Sequence, residues 1–287
     1  MAANTRDIRR RIKSIKNTAQ ITKAMQMVAA SKMRKAQMAA VAGRPYADLL
    51  NRVLISLSKR TNPELSPLLE VRPVRKELVL VVSTDKGLCG ALNTNLLREI
   101  SQFEKQPTGF VATGRKAVQY LARTRKELIA DFALRDAPAL PDTKLVSKFL
   151  IDKFLAHEVD RVSVLYTKFV NTLTLKPTVQ TILPLSPADL PQPSGEPVED
   201  VGVEFTYEPS AAEVLADMLP HYIHFQVYQM VLNARASEHS ARMVAMKSAT
   251  DNAKQLIKDL TLEYNKVRQA SITTELLEIS TAQMVLG

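Results

Sequence analysis

The residues that most resemble a ligand-binding site form one short segment, Gly87-Leu-Cys-Gly90. It follows an apolar, β-branched run and precedes a helical pattern, which is where α/β proteins bind phosphate. The sequence contains neither the G-x-G-x-x-G fingerprint nor the Gly-Lys-Ser/Thr ending of a P-loop. A tight strand-to-helix turn that needs glycine is therefore the favoured interpretation, and a nucleotide-binding enzyme remains an alternative.

The other candidate reactive groups are one cysteine and two histidines. Cys89 is the single cysteine, so it cannot form an internal disulfide, and a buried structural thiol is the favoured interpretation. His221 and His224 stand one helical turn apart, a spacing that can hold a metal. The sequence offers no obvious third ligand, so we predict no catalytic residue, no metal site and no cofactor.

The charge of the chain is strongly basic, with a formal net charge of +10. Residues 6–35 carry many basic side chains against one acid, Asp7. The basic residues are Arg6, Arg9, Arg10, Arg11, Lys13, Lys16, Lys23, Lys32, Arg34 and Lys35. Such a field attracts polyanions, anionic lipid or acidic protein surfaces. A basic coiled-coil protein that binds nucleic acid is therefore one functional alternative.

Two long helical patterns lie at the ends of the chain. Residues 5–42 contain no Gly or Pro, and no Gly or Pro follows Pro220 before Gly287. In the first pattern a 4-3 spacing selects Ile8, Ile12, Ile15, Ala19, Thr22, Gln26, Ala29, Met33, Ala36 and Ala40. In the second it selects Ala249, Ala253, Leu256, Leu260, Val267, Ala270 and Leu277, with Glu263 and Thr274 interrupting the seam. These heptad-like seams of mostly small residues predict a coiled coil.

The middle of the chain alternates strand and helix patterns, which predicts a small α/β domain. Strands are predicted at 78–83, 109–113, 161–166 and 178–182, and helices at 92–104, 116–123 and 144–157. The Pro-rich stretch 184–209 is predicted to be a loop or an irregular hairpin that leads to the last helix. No apolar run is long enough to span a bilayer.

Together these patterns predict a mixed α+β and α/β fold. An antiparallel coiled coil of the N- and C-terminal long helices would join a central Rossmann-like α/β domain. The expected domains are an N-terminal coiled-coil helix at 1–60, an α/β foot domain at 75–207 and a C-terminal coiled-coil helix at 208–287.

Several long motifs resemble one known family. The segment Ile15 to Arg34, continuing to Arg44-Pro45-Tyr46, is similar to the N-terminal signature of gamma subunits of bacterial F-type ATP synthases. Residues 82–93, 236–252 and 264–275 resemble further motifs of that family, in the same order. The resemblance covers essentially the whole chain.

The resemblance implies a non-catalytic rotor shaft that couples proton flow to ATP synthesis and regulates ATPase activity and proton flow. The coiled coil would insert into a hexamer of alpha and beta subunits, with the foot beside the epsilon subunit and the c-ring. It implies no cofactor and no nucleic acid. It also implies a peripheral position in a membrane complex, at the cytoplasmic face of the bacterial inner membrane.

The resemblance also implies roles for individual residues. Those expected to contact a beta subunit are Arg268, Gln269, Thr273 and Glu275, together with Lys23 and Met25 on the N-terminal helix. Tyr207 and Glu208 are expected near the c-ring or the epsilon subunit. The basic N-terminal helix would face acidic lever segments of the beta subunits. The middle domain lacks the regulatory cysteine pair of the photosynthetic branch, so thiol regulation is not expected.

Overall fold

A computed structural model describes residues 5–60, 66–105, 107–185, 208 and 210–286. Six α-helices and five strands are present among them. The helices are α1 (Thr5–Ala42), α2 (Arg44–Arg60), α3 (Leu92–Arg98), α4 (Arg115–Arg123), α5 (Leu140–Leu155) and α6 (Ala211–Leu286). The strands are β1 (Glu77–Val82), β2 (Thr108–Thr113), β3 (Leu128–Phe132), β4 (Arg161–Phe169) and β5 (Leu175–Leu183). Short 3₁₀ helices occupy Pro67–Leu69 and Glu99–Lys105.

The strands form one five-stranded sheet in the order β3-β2-β1-β4-β5. All neighbouring pairs are parallel except β4 with β5, which are antiparallel. Strand β1 lies at the centre, and all six of its residues are buried. Burial on both faces explains its unbroken apolar run, because helices cover both sides of a parallel sheet.

Apolar clusters fill both faces of the sheet. On one face, Leu78, Leu80 and Val82 pack with residues of α2, α5 and α6. On the other, Val79 and Val81 pack with residues of α3 and α4. The alternation follows from the two-residue period of a strand. The larger first cluster includes α6 residues from Leu215 to Ala234, so the beginning of the last helix belongs to the sheet's core.

The chain forms two compact units. One comprises the residues up to Ala30 together with those from Arg242 on, and the other comprises Ser31–Ala241. None of the described helices combines the length and apolarity that crossing a lipid bilayer requires.

The predicted fold class is confirmed: two long terminal helices flank a central α/β sheet. The four predicted strands are present as β1, β2, β4 and β5. Strand β3 was not predicted, because it is a short edge strand whose residues are half-buried or exposed. The predicted helix at 92–104 is α-helical only to Arg98 and continues as a 3₁₀ helix.

Within 1–60, the range predicted as an N-terminal coiled-coil helix, the helix is interrupted at one residue, Gly43. Helix α1 ends at Ala42, and α2 begins after Gly43. A Cβ atom at Gly43 would lie 2.1 Å from Nε2 of Gln229 and 3.2 Å from the Phe225 ring. Because Nε2 ends a flexible side chain, glycine eases this close approach to α6 without being required for it. The predicted loop at 184–209 lies almost wholly outside the described residues.

Gly114, which precedes α4, provides a test of this architecture. Its φ is +90°, and a Cβ atom there would lie 2.4 Å from the Ser83 carbonyl oxygen. We expect Gly114→Ala to lower the free energy of unfolding by about 1–3 kcal/mol, because the backbone would be strained. Urea unfolding followed by circular dichroism measures this. Gly87→Ala is the matched control, since a Cβ there meets nothing within 4 Å; equal losses in the two variants would contradict the assignment.

Candidate functional site

The two long helices pair antiparallel in the unit formed by residues up to Ala30 and from Arg242 on. The hydroxyls of Thr22 and Thr250 lie 2.8 Å apart and are buried. Farther along, Nη2 of Arg9 donates a hydrogen bond to the Tyr264 hydroxyl at 2.6 Å, and its guanidinium lies 5.5 Å from the centre of that ring. Both contacts belong to one register, which places Thr5 level with Val267 and Arg268.

The predicted seam of α1 is confirmed, because every one of its residues is buried or half-buried. The predicted seam of α6 is only partly right: Ala249, Ala253, Leu260 and Val267 are buried or half-buried, but Leu256, Ala270 and Leu277 are exposed. The helix instead packs through a neighbouring stripe. This stripe comprises Thr250, Ala253, Ile257, Leu260, Tyr264 and Val267. Ala270 and Leu277 lie past the level of Thr5, where no described residue of α1 remains to cover them.

The end of α6 beyond the helix pair is bare. Every residue from Arg268 to Gln283 is exposed. Sequence reasoning missed that this segment carries an apolar stripe: Ile272, Leu276 and Ile279 are 44%, 62% and 64% exposed and follow 4-3 spacing. That spacing was the available signal. An exposed apolar stripe on a helix marks a surface for a partner.

Four predicted contact residues lie on this bare segment, which we call the tip (residues 268–286). Arg268 and Glu275 share one side of the helix, because they are seven residues apart and successive residues rotate by about 100°. Gln269 and Thr273 share a second side, where the Thr273 hydroxyl donates to the Gln269 carbonyl at 2.9 Å. All four side chains are exposed. The tip therefore presents them on two sides rather than as one cluster.

The two predicted contact residues on α1 also point apart. Lys23 is exposed, and its Nζ donates to Oε1 of Gln26 at 3.4 Å, whereas Met25 is half-buried. Residues two apart on a helix do not share a face. A single flat partner could not contact both, but a partner that surrounds the helix could.

The predicted foot contacts are only partly visible. Tyr207 lies outside the described residues. Glu208 is an exposed residue in a bend three residues before α6 begins. Nothing in the described geometry joins Glu208 to the coiled-coil contact residues.

The basic residues of α1 form an exposed surface. All ten of those named above are exposed. Arg10 pairs with Asp7 at 2.6 Å, and Lys32 pairs with Asp136 at 2.5 Å. Asp7, the single acid of α1, cannot neutralise ten basic side chains, so the surface keeps a positive charge that suits an acidic partner.

The Gly87–Gly90 turn is a structural turn whose neighbourhood is already filled. The first N–H groups of α4 are taken by the protein itself: those of Arg115, Lys116 and Ala117 bond to the Asp85 carboxylate, the Thr84 carbonyl and the Ser83 hydroxyl. Cys89 is buried, and Nδ2 of Asn93 donates to its Sγ at 3.3 Å. The helix that follows the turn is α3, and the N–H of its first residue, Leu92, bonds to the Cys89 carbonyl at 3.3 Å. Hydrogen bonds of the protein itself thus hold the turn and the start of the neighbouring α4.

The cleft at the carboxyl end of the sheet is also occupied. Side chains of β1, α3 and β4 meet Ala234, Arg235 and Glu238 of α6 there. The remaining cavity is about 10 Å³, room for one water molecule at most. In open α/β sheets this crevice is where ligands bind, but here α6 fills it.

The two histidines serve as hydrogen-bonding groups. Nε2 of His221 lies 2.6 Å from the Tyr46 hydroxyl, and Nδ1 of His224 lies 2.7 Å from the Ser147 hydroxyl. Burial first, and then the charges of Lys144 and His221, hold the pKa of His224 below its ordinary value, so this ring is neutral at pH 7. Among the described residues, no group of three or more His, Cys, Asp or Glu is arranged to hold a metal ion.

Comparison with known proteins gives a consistent assignment. The sequence model of the ATP synthase family matches residues 4–286. The ATP synthase gamma chain of Methylacidiphilum infernorum is 53% identical, over 99% of this chain and 100% of that protein. The gamma chain of Opitutus terrae is 48% identical, over 98% of both chains.

Solved structures share the fold. A chain of the rotor of the Euglena gracilis mitochondrial ATP synthase matches 93% of this chain and 98% of its own length, with a TM-score of 0.67 and 20% identity. A chain from the central stalk and c-ring of the Tetrahymena thermophila enzyme matches 80% of this chain and 99% of its own length, with a TM-score of 0.62 and 24% identity.

The buried Thr22–Thr250 contact should contribute measurably to the helix pair. We expect a double-mutant cycle with Thr22→Val and Thr250→Val to give a coupling energy of about 0.5–1.5 kcal/mol, the net value of one hydrogen bond. Urea unfolding of the wild type, both single variants and the double variant measures it. Pairing Thr22→Val with the exposed Thr273→Val is the control, and a coupling energy no larger than in that control would contradict the prediction.

Proposed function

The chain belongs to the ATP synthase gamma chain family, and from this premise we propose that it is the central rotor shaft of an F-type ATP synthase. In that role it couples proton flow through a membrane ring to ATP synthesis in a catalytic head, and it regulates ATPase activity and proton flow.

The observation that supports this proposal is the solvent exposure of the long helices' outer surface. A two-helix coiled coil with a small-residue seam gives way to a single bare helix at the tip, whose residues from Arg268 to Gln283 are all exposed. Four apolar side chains of the tip are more than 40% exposed. Such a surface requires a sleeve of other chains around it.

Coupling follows from asymmetry. Two helices inside a threefold ring present a different face to each of three equivalent subunits, so each subunit is biased toward a different conformation. A shaft shifts those equilibria only by as much as its contact free energy differs between the conformations. Lys23 and Met25, on nearly opposite sides of α1, would then meet different subunits at the same moment.

The proposed partners follow from charge and position. The exposed basic residues of α1 suit acidic segments of the beta subunits, and the tip residues Arg268, Gln269, Thr273 and Glu275 are proposed to contact a beta subunit higher in the head. Tyr207 and Glu208 are proposed to lie near the c-ring or the epsilon subunit. The alpha subunits complete the sleeve.

We propose that the chain itself is non-catalytic and needs no cofactor, since α6 fills the crevice where an α/β protein would bind a nucleotide. Its place would be peripheral, at the cytoplasmic face of a bacterial inner membrane, held there by its partners. Nucleic acid is not a proposed partner.

Reconstitution tests the proposal. The chain is mixed with alpha and beta subunits, assembled with the membrane sector in vesicles and assayed for ATP-driven proton pumping. We expect pumping that depends on this chain. Retention on a duplex DNA column at moderate salt, without assembly onto the alpha-beta hexamer, would instead favour the nucleic-acid-binding alternative.

Met25→Lys should impair coupling more than assembly. It places an additional charge on a half-buried position of a helix already rich in Lys and Arg. An unpaired charge in an interface costs about 2–5 kcal/mol, and the cost will differ between rotary positions. We expect ATP hydrolysis to persist while proton pumping per ATP falls.

Parallel assays of both activities in the same vesicles measure this effect, with Met25→Leu as the volume-matched control. Hydrolysis and pumping that decline in equal proportion in the Lys variant would reject the coupling interpretation.

Arg268→Leu should lower turnover. Arg268 is exposed at the start of the tip, and its planar guanidinium can bind a carboxylate with two hydrogen bonds. Removing it would leave an acid of the beta subunit unpaired, at about 2–5 kcal/mol. We expect low steady-state ATPase activity or weak assembly, with nucleotide still bound at the catalytic sites, and only partial recovery in Arg268→Lys.

The control for this variant is Lys258→Leu, an exposed cation on the same helix. Near-wild-type turnover of a fully assembled Arg268→Leu complex would remove Arg268 from the contact residues.

A further inference from the structure

The loop between β3 and α5 (residues 133–139) meets both long helices at one carboxylate. Oδ2 of Asp136 accepts a hydrogen bond from Nζ of Lys32 on α1 at 2.5 Å. Oδ1 of the same side chain lies 3.3 Å from Nε2 of His239 on α6. All three residues belong to the compact unit Ser31–Ala241. A single side chain of the sheet's loop therefore contacts α1 and α6 together.

Arg235 fastens the same loop to α6 one turn earlier. Its Nη2 donates to the carbonyl oxygens of Leu134 at 3.2 Å and Arg135 at 3.5 Å. Its Nη1 pairs with Oε2 of Glu238 at 2.9 Å, and both of these side chains are only 6% exposed. A buried charge is tolerated when it is paired and hydrogen-bonded, so this pair holds a well-defined geometry.

The loop is also braced against α5. Oδ2 of Asp142 accepts the N–H of Ala139, and its Oδ1 pairs with Nη2 of Arg135 at 2.9 Å. Residues on both sides of Asp136 are thus tied: Leu134 and Arg135 before it to α6 and α5, and Ala139 after it to α5. Because the loop is held in this way, a force on it is transmitted to Asp136 with little displacement of the loop.

The electrostatics keep Asp136 ionised. Burial raises the pKa of Asp136, but the hydrogen bond from Lys32 and the charges of His239, Lys32 and Arg235 outweigh it, so the pKa lies below its ordinary value. The carboxylate therefore bears its full charge at neutral pH, and both contacts are charge-assisted when their partners are protonated.

We propose that Asp136 is a positioning residue for torque transmission: it locks α1 and α6 to the sheet, so that both helices turn with it. This inference rests on the proposed function as a rotor shaft. Lys32 and Asp136 are about half exposed, so their ion pair adds little to folding stability. Its role is to prevent α1 from sliding past the loop under load, which an assembly assay would not detect.

The test uses the complete complex in vesicles. Asp136→Ala and Lys32→Met are compared with wild type, and Asp131→Ala, an exposed acid on β3, is the matched control. Losing the exposed Lys32–Asp136 ion pair raises the fraction of molecules in which α1 is detached from the loop about two- to fivefold. We expect ATPase activity to be retained and protons pumped per ATP to fall in both variants. The double variant should be no worse than Asp136→Ala, since Asp136→Ala alone already removes the contact with Lys32.

A second measurement reports the mechanics directly. With the head fixed and a probe attached to the α/β unit, angular fluctuations of single molecules should widen in Asp136→Ala and not in Asp131→Ala. Pumping per ATP and fluctuations equal to the control's would overturn the proposal. So would a proportional fall in ATPase and pumping, which indicates a structural defect. Failure of the wild-type complex to assemble would reject the rotor function itself, a separate result.

Discussion

The whole architecture depends on how closely α6 approaches the carboxyl end of the sheet. Where the helix crosses this edge, Ala234, Ala236, Ser237 and Ser240 are small and buried, beside the buried pair Arg235 and Glu238. The Ser237 and Ser240 hydroxyls donate to the carbonyls of Thr167 and Thr172 at 3.0 and 3.1 Å, capping β4 and the turn after it. Larger side chains would push the helix away and open the crevice. The close contact fills the cleft in which an α/β fold would bind a ligand. It also anchors the first part of α6 to the sheet.

Several elements could be predicted from local pattern alone. The doubly buried strand β1 and the seam of α1 were both recovered, because each is set by the period of its own element. The seam of α6 was recovered only in part, since Leu256 and Ile257 lie on adjacent apolar stripes and only the partner helix decides which is covered. Strand β3 has no distinct pattern because it lies at the edge. Asp136 was missed because its two partners are about a hundred residues away in sequence, and no local signal links them.

The contact residues illustrate a different limit. The resemblance was the basis for proposing Arg268, Gln269, Thr273 and Glu275, and their exposure agrees with a role on a surface. An exposed side chain on a lone helix makes no contact that would identify its partner. The Gly87–Gly90 turn is the converse case. Its chemistry was ambiguous in sequence, and its geometry supports a structural turn, because hydrogen bonds among side chains of the turn and of α3 hold it from within.

The bare tip has a thermodynamic consequence. An isolated helix of this length is marginal in water because nucleation is unfavourable, whereas extending an existing helix adds one hydrogen bond per residue. The tip therefore forms by extension of the helix already nucleated in the coiled coil. Its helical structure is weakest at the end farthest from the coiled coil. The Thr273, Thr274 and Thr281 hydroxyls, which bond to carbonyls four residues earlier, weaken it slightly. The ordered length of the shaft thus varies with temperature, and enclosing the tip lengthens it.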